Sequence, residues 1–188
     1  MYLATNDDAN ALLKRDPLAL LIGMLLDQQI PMEKAFTSPA VLRDRLDHDL
    51  DAAEIAAYDP EKFEAIFRKP PALHRFPAAM AKRVQALAQV LVERYDGDAA
   101  TVWADVPTGA DLVSRIAGLP GFGDQKARIF AALLAKQLGV TPTGWQTATG
   151  DYGKAGHRSV ADVTDDATRK QVRSYKQQMK AAAKAAKD

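Results

Sequence analysis

The chain has 188 residues, of which 47% are hydrophobic, and it carries a formal net charge of +1. This length and apolar content support a buried core, in one domain or in two small lobes, and exclude a largely disordered chain. The absence of cysteine excludes disulfide bonds, thiol nucleophiles and cysteine-bound zinc or iron–sulfur clusters.

Apolar residues recur at helical spacing along the chain, and no segment has the pattern of a β-strand. A buried helix is predicted after Asp16-Pro17, with leucine and isoleucine side chains continuing up to Gln28-Gln29. The next four helix starts are predicted from a proline or a capping residue, at Ser38-Pro39, Asp51, Asp59-Pro60 and Phe76-Pro77. The sequence therefore indicates an all-α fold.

A glycine-containing turn follows within residues 109–138, between two amphipathic patterns. Residues 111–117 predict the first helix, and Asp124 is predicted to be the N-cap of the second. Gly121 and Gly123 permit positive φ and leave backbone amides uncovered, so the helix N-terminus here can bind a DNA phosphate. The same Pro-Gly-x-Gly pattern also forms ordinary helix–helix turns, and the turn alone leaves both interpretations open.

The C-terminal part of the chain begins with a segment rich in Gly, Thr and Pro at 139–150. This segment is long for a linker in a compact domain and favours a functional or packed loop. A short helical turn is predicted at 159–163 and a final helix from about Asp165. Residues 180–188 can extend this helix or fray, and they are predicted to form a frayed basic tail.

Charge is unevenly distributed despite the nearly neutral total. Residues 1–60 hold 5 Lys/Arg against 11 Asp/Glu, whereas residues 61–150 hold 11 against 8 and residues 151–188 hold 9 against 5. A basic rear half can follow a phosphate chain, although each charge alone is also typical of a solvated helix face. The N-terminal segment lacks a basic and apolar leader pattern, and no run reaches the roughly 18 apolar residues of a membrane span. We therefore expect neither secretion nor membrane insertion.

The segment 119–127, Leu-Pro-Gly-Phe-Gly-Asp-Gln-Lys-Ala, resembles the hairpin signature of the helix-hairpin-helix (HhH-GPD) superfamily of DNA glycosylases. Two weaker blocks occur in the family order, at 16–29 and 81–97, so the resemblance covers roughly residues 16–138. It implies one two-lobed helical domain over 1–188, in which DNA crosses a cleft and a target nucleotide rotates out of the duplex. Endonuclease III-like members commonly carry a four-cysteine iron–sulfur loop, which this chain cannot form.

The resemblance implies a base-excision repair enzyme of the cytoplasm and its nucleoid, monomeric, acting on duplex DNA with a damaged or mismatched base. Two alternatives are a non-catalytic DNA-binding module that recognises bent or damaged duplex, and a helical protein-interaction scaffold. The residues expected to contact DNA are Gln28, Gln29, Leu119, Gly121, Phe122, Gly123, Asp124, Gln125 and Lys126. Hairpins of this family sometimes hold Na⁺ or K⁺ through backbone carbonyls, here those of Ala117, Leu119 and Phe122; no other cofactor is expected.

The sequence departs from the family pattern where the chemistry occurs. In bifunctional members the second residue after the last hairpin glycine is a Schiff-base lysine, and it is Gln125 here, so we expect a monofunctional glycosylase. Lys126 lies one helical step further, about 100° around the axis, and is expected to contact phosphate or solvent. Family spacing puts the catalytic aspartate near Thr143. Asp151 is therefore the first candidate, through a loop insertion, and Asp27 is the second.

Overall fold

The computed structural model describes residues 1–185, which form ten α-helices and three short 3-10 helices, with no β-strand in that range. The α-helices are α1 (Asp7–Arg15), α2 (Pro17–Leu26), α3 (Met32–Leu46), α4 (Ala52–Ala57), α5 (Pro60–Arg68), α6 (Pro77–Tyr95), α7 (Gly109–Ala117), α8 (Asp124–Leu138), α9 (Trp145–Thr149) and α10 (Asp166–Ala185). The 3-10 helices are Ala99–Val102, Gly150–Gly153 and Val160–Asp162. The all-α prediction is confirmed, including the helical turn within 159–163.

Most of the capped helix starts form as the sequence predicts. Asp16 accepts hydrogen bonds from the amides of Leu18 and Ala19 at 2.9 and 3.1 Å, at the start of α2. Asp51 and Asp59 cap α4 and α5 in the same way. These carboxylates satisfy amides that have no partner inside their own helix, so each helix begins at a defined residue.

The predicted helix start at Ser38-Pro39 is wrong, because α3 begins at Met32 and both residues lie inside it. The Ser38 hydroxyl lies 2.8 Å from the carbonyl oxygens of both Lys34 and Leu73. Pro39 forfeits one helical hydrogen bond. Phe36 is fully buried in the turn before the proline, and its packing offsets that loss.

Helix α2 forms the centre of the first lobe. All of its residues except Pro17 are buried, and α1, α3 and α6 pack around it. Gly23 permits a close approach of α3, since a Cβ at this position would lie 2.8 Å from Cδ1 of Phe36. Helices α4 and α5 pack on α6 and complete the lobe.

Helices α7, α8 and α9 pack on one another and form the second lobe. A Cβ at Gly109 would collide with the backbone of Trp145, so this glycine allows α7 and α9 to touch. Within residues 1–185, no helix combines the length and the apolar character needed to cross a bilayer.

Helix α10 lies across both lobes. On one side Arg169 donates to the carbonyl oxygens of Tyr2 and Ala4, each at 3.4 Å. On the other side the Arg158 guanidinium lies over the ring of Tyr175 in α10, 5.8 Å from its centroid. The helix continues to Ala185, so residues 180–185 extend it, and fraying of this tail stays a prediction; residues 186–188 lie outside the described residues.

Candidate nucleic-acid interface

The turn between α7 and α8 is exposed at its tip and anchored by its apolar side chains. Leu119 and Phe122 are only 3% and 4% exposed, whereas Gly121 and Gly123 are exposed. Gly121 has a φ of +85°, and a Cβ there would lie 3.2 Å from Cγ of Leu25 in the last turn of α2. The hairpin therefore rests on the first lobe, and Leu119 and Phe122 can meet DNA only through their backbone.

Five backbone amides of the hairpin have no hydrogen-bond partner within residues 1–185, those of Gly121, Gly123, Asp124, Gln125 and Lys126. The predicted N-cap is wrong by one residue, because Gly123 occupies the cap position of α8 and Asp124 is its first helical residue. Glycine has no side chain to satisfy these donors, and the Asp124 carboxylate pairs with Arg128 at 2.9 Å. Uncapped amides at the positive end of a helix suit a phosphate oxygen.

Lys126 connects α8 to the end of α2. Its Nζ donates to the carbonyl oxygens of Met24 and Leu25 at 3.0 and 2.9 Å. These carbonyls belong to the last turn of α2, where a cation is favourable. Burial lowers the pKa of Lys126 to about 8, against the opposing effect of Asp27. The ammonium group of Lys126 therefore already has protein partners and connects the two lobes, and a phosphate or solvent contact of this residue stays a prediction.

The glutamine pair lies beyond α2, which ends at Leu26 rather than at the glutamines. Nε2 of Gln28 donates to the Leu25 carbonyl oxygen at 2.8 Å, and its Oε1 accepts a hydrogen bond from Arg83 at 2.8 Å. Gln29 is exposed and has a φ of +57°. Gln29 is thus accessible to DNA, whereas the Gln28 side chain already has protein partners. A DNA contact stays a prediction for both.

A buried histidine, His74, supports this segment. His74 is 1% exposed, and its Nε2 lies 2.9 Å from the carbonyl oxygen of Gln28. Its Nδ1 accepts a hydrogen bond from the Phe76 amide at 3.0 Å, so the ring is neutral with the proton on Nε2. Burial lowers the pKa of His74 below its ordinary value. Sequence spacing carries no signal for this contact, because the loop reaches α2 only in the folded chain.

A cleft of about 570 Å³ opens between the end of α2, the start of α3 and α10, and we name it the α2–α10 cleft. Its lining includes Asp27, Ile30, Met32, Glu33, Val172 and Lys176. The half-buried carboxylate of Asp27 receives no hydrogen bond from residues 1–185. Burial raises the pKa of Asp27, while Lys176 and Lys126 oppose that rise. The cleft falls in the range of roughly 300–1,000 Å³ that is typical of small-molecule sites.

A second cleft of about 420 Å³, the α8–α10 cleft, contains both Gln125 and Asp151. The Asp151 side chain is 65% exposed and pairs with Lys154 at 2.6 Å. The hydrogen bond from Lys154 holds the pKa of Asp151 below its usual value. Nε2 of Gln125 donates to the hydroxyl of Tyr152 at 2.8 Å. The first catalytic candidate is thus hydrated and paired with a cation, which makes it a weak base.

The backbone carbonyls expected to bind a monovalent cation are compatible with that role. Within residues 1–185 the carbonyl oxygens of Ala117 and Phe122 accept no hydrogen bond, and that of Leu119 accepts one, from the Phe122 amide at 3.1 Å. Each oxygen therefore keeps a lone pair for a hard cation such as Na⁺ or K⁺. The cation itself stays a prediction.

These features define a two-lobed helical protein whose hairpin presents backbone donors beside a cleft. A family model described as "HhH-GPD superfamily base excision DNA repair protein" matches residues 22–188. The chain therefore belongs to the HhH-GPD superfamily, whose members bind DNA and act in base-excision repair. No curated protein matches the chain.

Proposed function

We propose that the protein is a monofunctional DNA glycosylase that hydrolyses the N-glycosidic bond of a damaged or mismatched base rotated out of duplex DNA. The observation that carries this proposal is the position of Asp27. Its poorly hydrated carboxylate lines the α2–α10 cleft. Two residues earlier in the chain, Leu25 packs against the hairpin that carries the uncapped amides. The hairpin amides that we propose to bind DNA and the carboxylate of Asp27 thus lie at the same end of α2.

The hairpin supports binding to the DNA backbone rather than to a particular sequence. Its amides can donate to the oxygens of one or two phosphates, and such contacts carry no base information. Gly123 has open space beside its Cα, so a phosphate can approach the main chain there. Selectivity then begins with the cost of unstacking, a few kcal/mol, which is smallest for a damaged or mismatched base.

Asp27 is the residue to which we assign the proton transfer. As the carboxylate accepts a proton from a water molecule, the water oxygen bonds to C1′ of the deoxyribose. The C1′–N bond breaks with its electron pair leaving on the base. The negative carboxylate also stabilises the oxocarbenium character of the sugar in the transition state. Desolvation favours both roles, because a carboxylate with few hydrogen bonds is a stronger base.

The strand is expected to stay intact after the base has left. Gln125 carries no amine, and the amine of Lys126 donates to two carbonyl oxygens of α2. Neither residue is therefore placed to form a Schiff base with the exposed sugar aldehyde.

Single-turnover assays test the proposal on duplexes that carry an alkylated, deaminated, oxidised or mismatched base, with alkali added afterwards to reveal released bases. We expect at least one substrate to be processed. Asp27→Asn, which keeps the size of the side chain, should reduce the rate about 10²- to 10⁴-fold while DNA binding is retained.

Asp151→Asn is the matched control and should change the rate by less than about tenfold, because this carboxylate is exposed and paired with Lys154. The reverse pattern, with Asp151 essential and Asp27 dispensable, contradicts the assignment of the acid. Tight binding without base release across the panel favours the non-catalytic DNA-binding module instead.

A further inference from the structure

Helix α10 carries a row of cationic side chains on one face. Arg169, Arg173, Lys176, Lys180 and Lys184 follow one another at intervals of three or four residues. Residues at this spacing lie one above another on a helix. The only acidic residue between Asp166 and Ala185 is Asp166 itself, at the opposite end of the helix from Lys184.

The two halves of this row have different partners. Arg169 and Arg173 lie 3.7 and 2.8 Å from the Glu33 carboxylate, and Arg169 also lies 3.5 Å from Asp166, so the two cations of the first half face two carboxylates. Lys176, Lys180 and Lys184, which we name the basic stripe, are exposed and form no hydrogen bond or ion pair with residues 1–185. The first half of the row therefore anchors the helix, and the basic stripe is available to a ligand.

An unpaired row of lysines costs helix stability. Like charges at i, i+4 destabilise a helix, and the stripe contains two such pairs, Lys176 with Lys180 and Lys180 with Lys184. The helix dipole offsets part of this cost near the C-terminus. A polyanion along the stripe would remove the repulsion and replace it with attraction.

The stripe begins beside the hairpin. Lys176 lines the α2–α10 cleft together with Asp27, and it lines the α8–α10 cleft together with Gln125 of the first turn of α8. A rise of 1.5 Å per residue makes the distance from Lys176 to Lys184 about 12 Å. One DNA strand also winds around the duplex axis, so its phosphates lie about twice as far apart as the axial rise of about 3.4 Å, and the stripe matches about two to three phosphates.

We propose that the basic stripe binds the backbone phosphates of the DNA strand that leaves the hairpin, and so extends the DNA footprint along α10. This inference rests on the DNA binding of the proposed function, but not on catalysis. A membrane surface fits the helix less well. Interfacial helices insert several large apolar side chains, whereas Met179 is the one large hydrophobic residue that α10 exposes within residues 1–185.

The test compares the full chain with Lys180→Gln/Lys184→Gln, which keeps helix propensity and removes two charges. Affinity for a fluorescent duplex with a single abasic-site analogue is measured from about 50 to 200 mM KCl. The slope of log K against log[KCl] is negative, and each lost phosphate contact reduces its magnitude by about 0.9. The magnitude of the slope should therefore be smaller in the variant by up to about 1.8. Lys14→Gln/Lys62→Gln is the matched control, because both lysines are exposed, Lys14 on α1 and Lys62 on α5 between Glu61 and Glu64 in the sequence. Its slope should equal that of the unsubstituted protein.

An unchanged slope in the α10 variant, with duplex binding intact, overturns the proposal. So does equal loss of slope in the control. Binding of the unsubstituted protein to phosphatidylserine vesicles, lost in the α10 variant while the DNA slope stays unchanged, assigns the stripe to a membrane surface instead. The outcome is independent of base release: a reduced slope without glycosylase activity supports the stripe and contradicts the proposed enzyme.

Discussion

Gly121 and Gly123 both belong to the hairpin, yet the structure predicts different effects for their replacement by alanine. The change at Gly121 should lower the stability of the protein, and the change at Gly123 should weaken its binding to DNA. Gly121 has a φ of +85°, and its added Cβ would lie 3.2 and 3.3 Å from Cγ and Cδ1 of the fully buried Leu25. The left-handed conformation costs alanine about 1–2 kcal/mol. The forced shift of Leu25 adds about 1 kcal/mol, the lower end of the cost of overpacking a core.

Gly121→Ala should therefore lower the free energy of unfolding by about 2–3 kcal/mol, and the melting temperature by about 4–12 °C. Gly123 has a φ of −81° and open space around the added Cβ, so Gly123→Ala should cost less than about 1 kcal/mol. The methyl group stands where a phosphate oxygen approaches the amides. Loss of one hydrogen bond to a charged group should weaken duplex binding roughly 10- to 100-fold.

Calorimetry and fluorescence anisotropy with a labelled duplex measure the two effects. Gly139→Ala is the matched control, because Gly139 also has a positive φ, +73°, but has nothing within 4 Å of the added Cβ. Its backbone strain should lower the free energy of unfolding by about 1–2 kcal/mol and leave the DNA affinity unchanged. Unchanged duplex binding by Gly123→Ala would refute the assignment of the hairpin amides to phosphate. Equal melting temperatures of Gly121→Ala and Gly139→Ala would refute the predicted cost of the contact with Leu25.

Two further predictions concern the strand after base release and the pH dependence of stability. Borohydride should not trap the unsubstituted protein on an abasic duplex, because Gln125 has no amine and the amine of Lys126 donates to two carbonyl oxygens. Trapping that occurs with the unsubstituted protein and disappears in Lys126→Gln would contradict this prediction. Burial lowers the folded-state pKa of His74 below 6.5, the value in the unfolded chain. Between these two pKa values the unfolded chain therefore binds more protons than the folded protein. The stability that is present above pH 6.5 is then lost as the pH falls toward the folded-state pKa. Urea unfolding between about pH 7 and pH 5 should show this loss, and His74→Gln should reduce it; an identical pH dependence in the variant assigns the loss to other groups.

Much of the fold could be predicted from local signals. Asp16, Asp51 and Asp59 begin helices where a capping carboxylate precedes an apolar pattern, since capping is a contact between near neighbours in the chain. The helix–turn–helix arrangement around Gly121 and Gly123 could also be predicted, because the turn glycines and the flanking amphipathic patterns lie within a few positions of one another. The start of α3 could not, since burial of Phe36 against α2 outweighs the proline in that helix.

The sequence by itself determined the helical class, the family and the loss of the Schiff-base lysine at position 125, because these depend on residue types and short spacings. Only the tertiary structure decided the surroundings of the two candidate acids. Asp27 and Asp151 have the same chemistry in the sequence, and they differ because α10 and α3 desolvate the first while Lys154 and water surround the second. The same holds for Lys126 and the basic stripe. Their partners, or the lack of them within residues 1–185, follow from how α2, α8 and α10 are brought together, and no spacing along the chain encodes that.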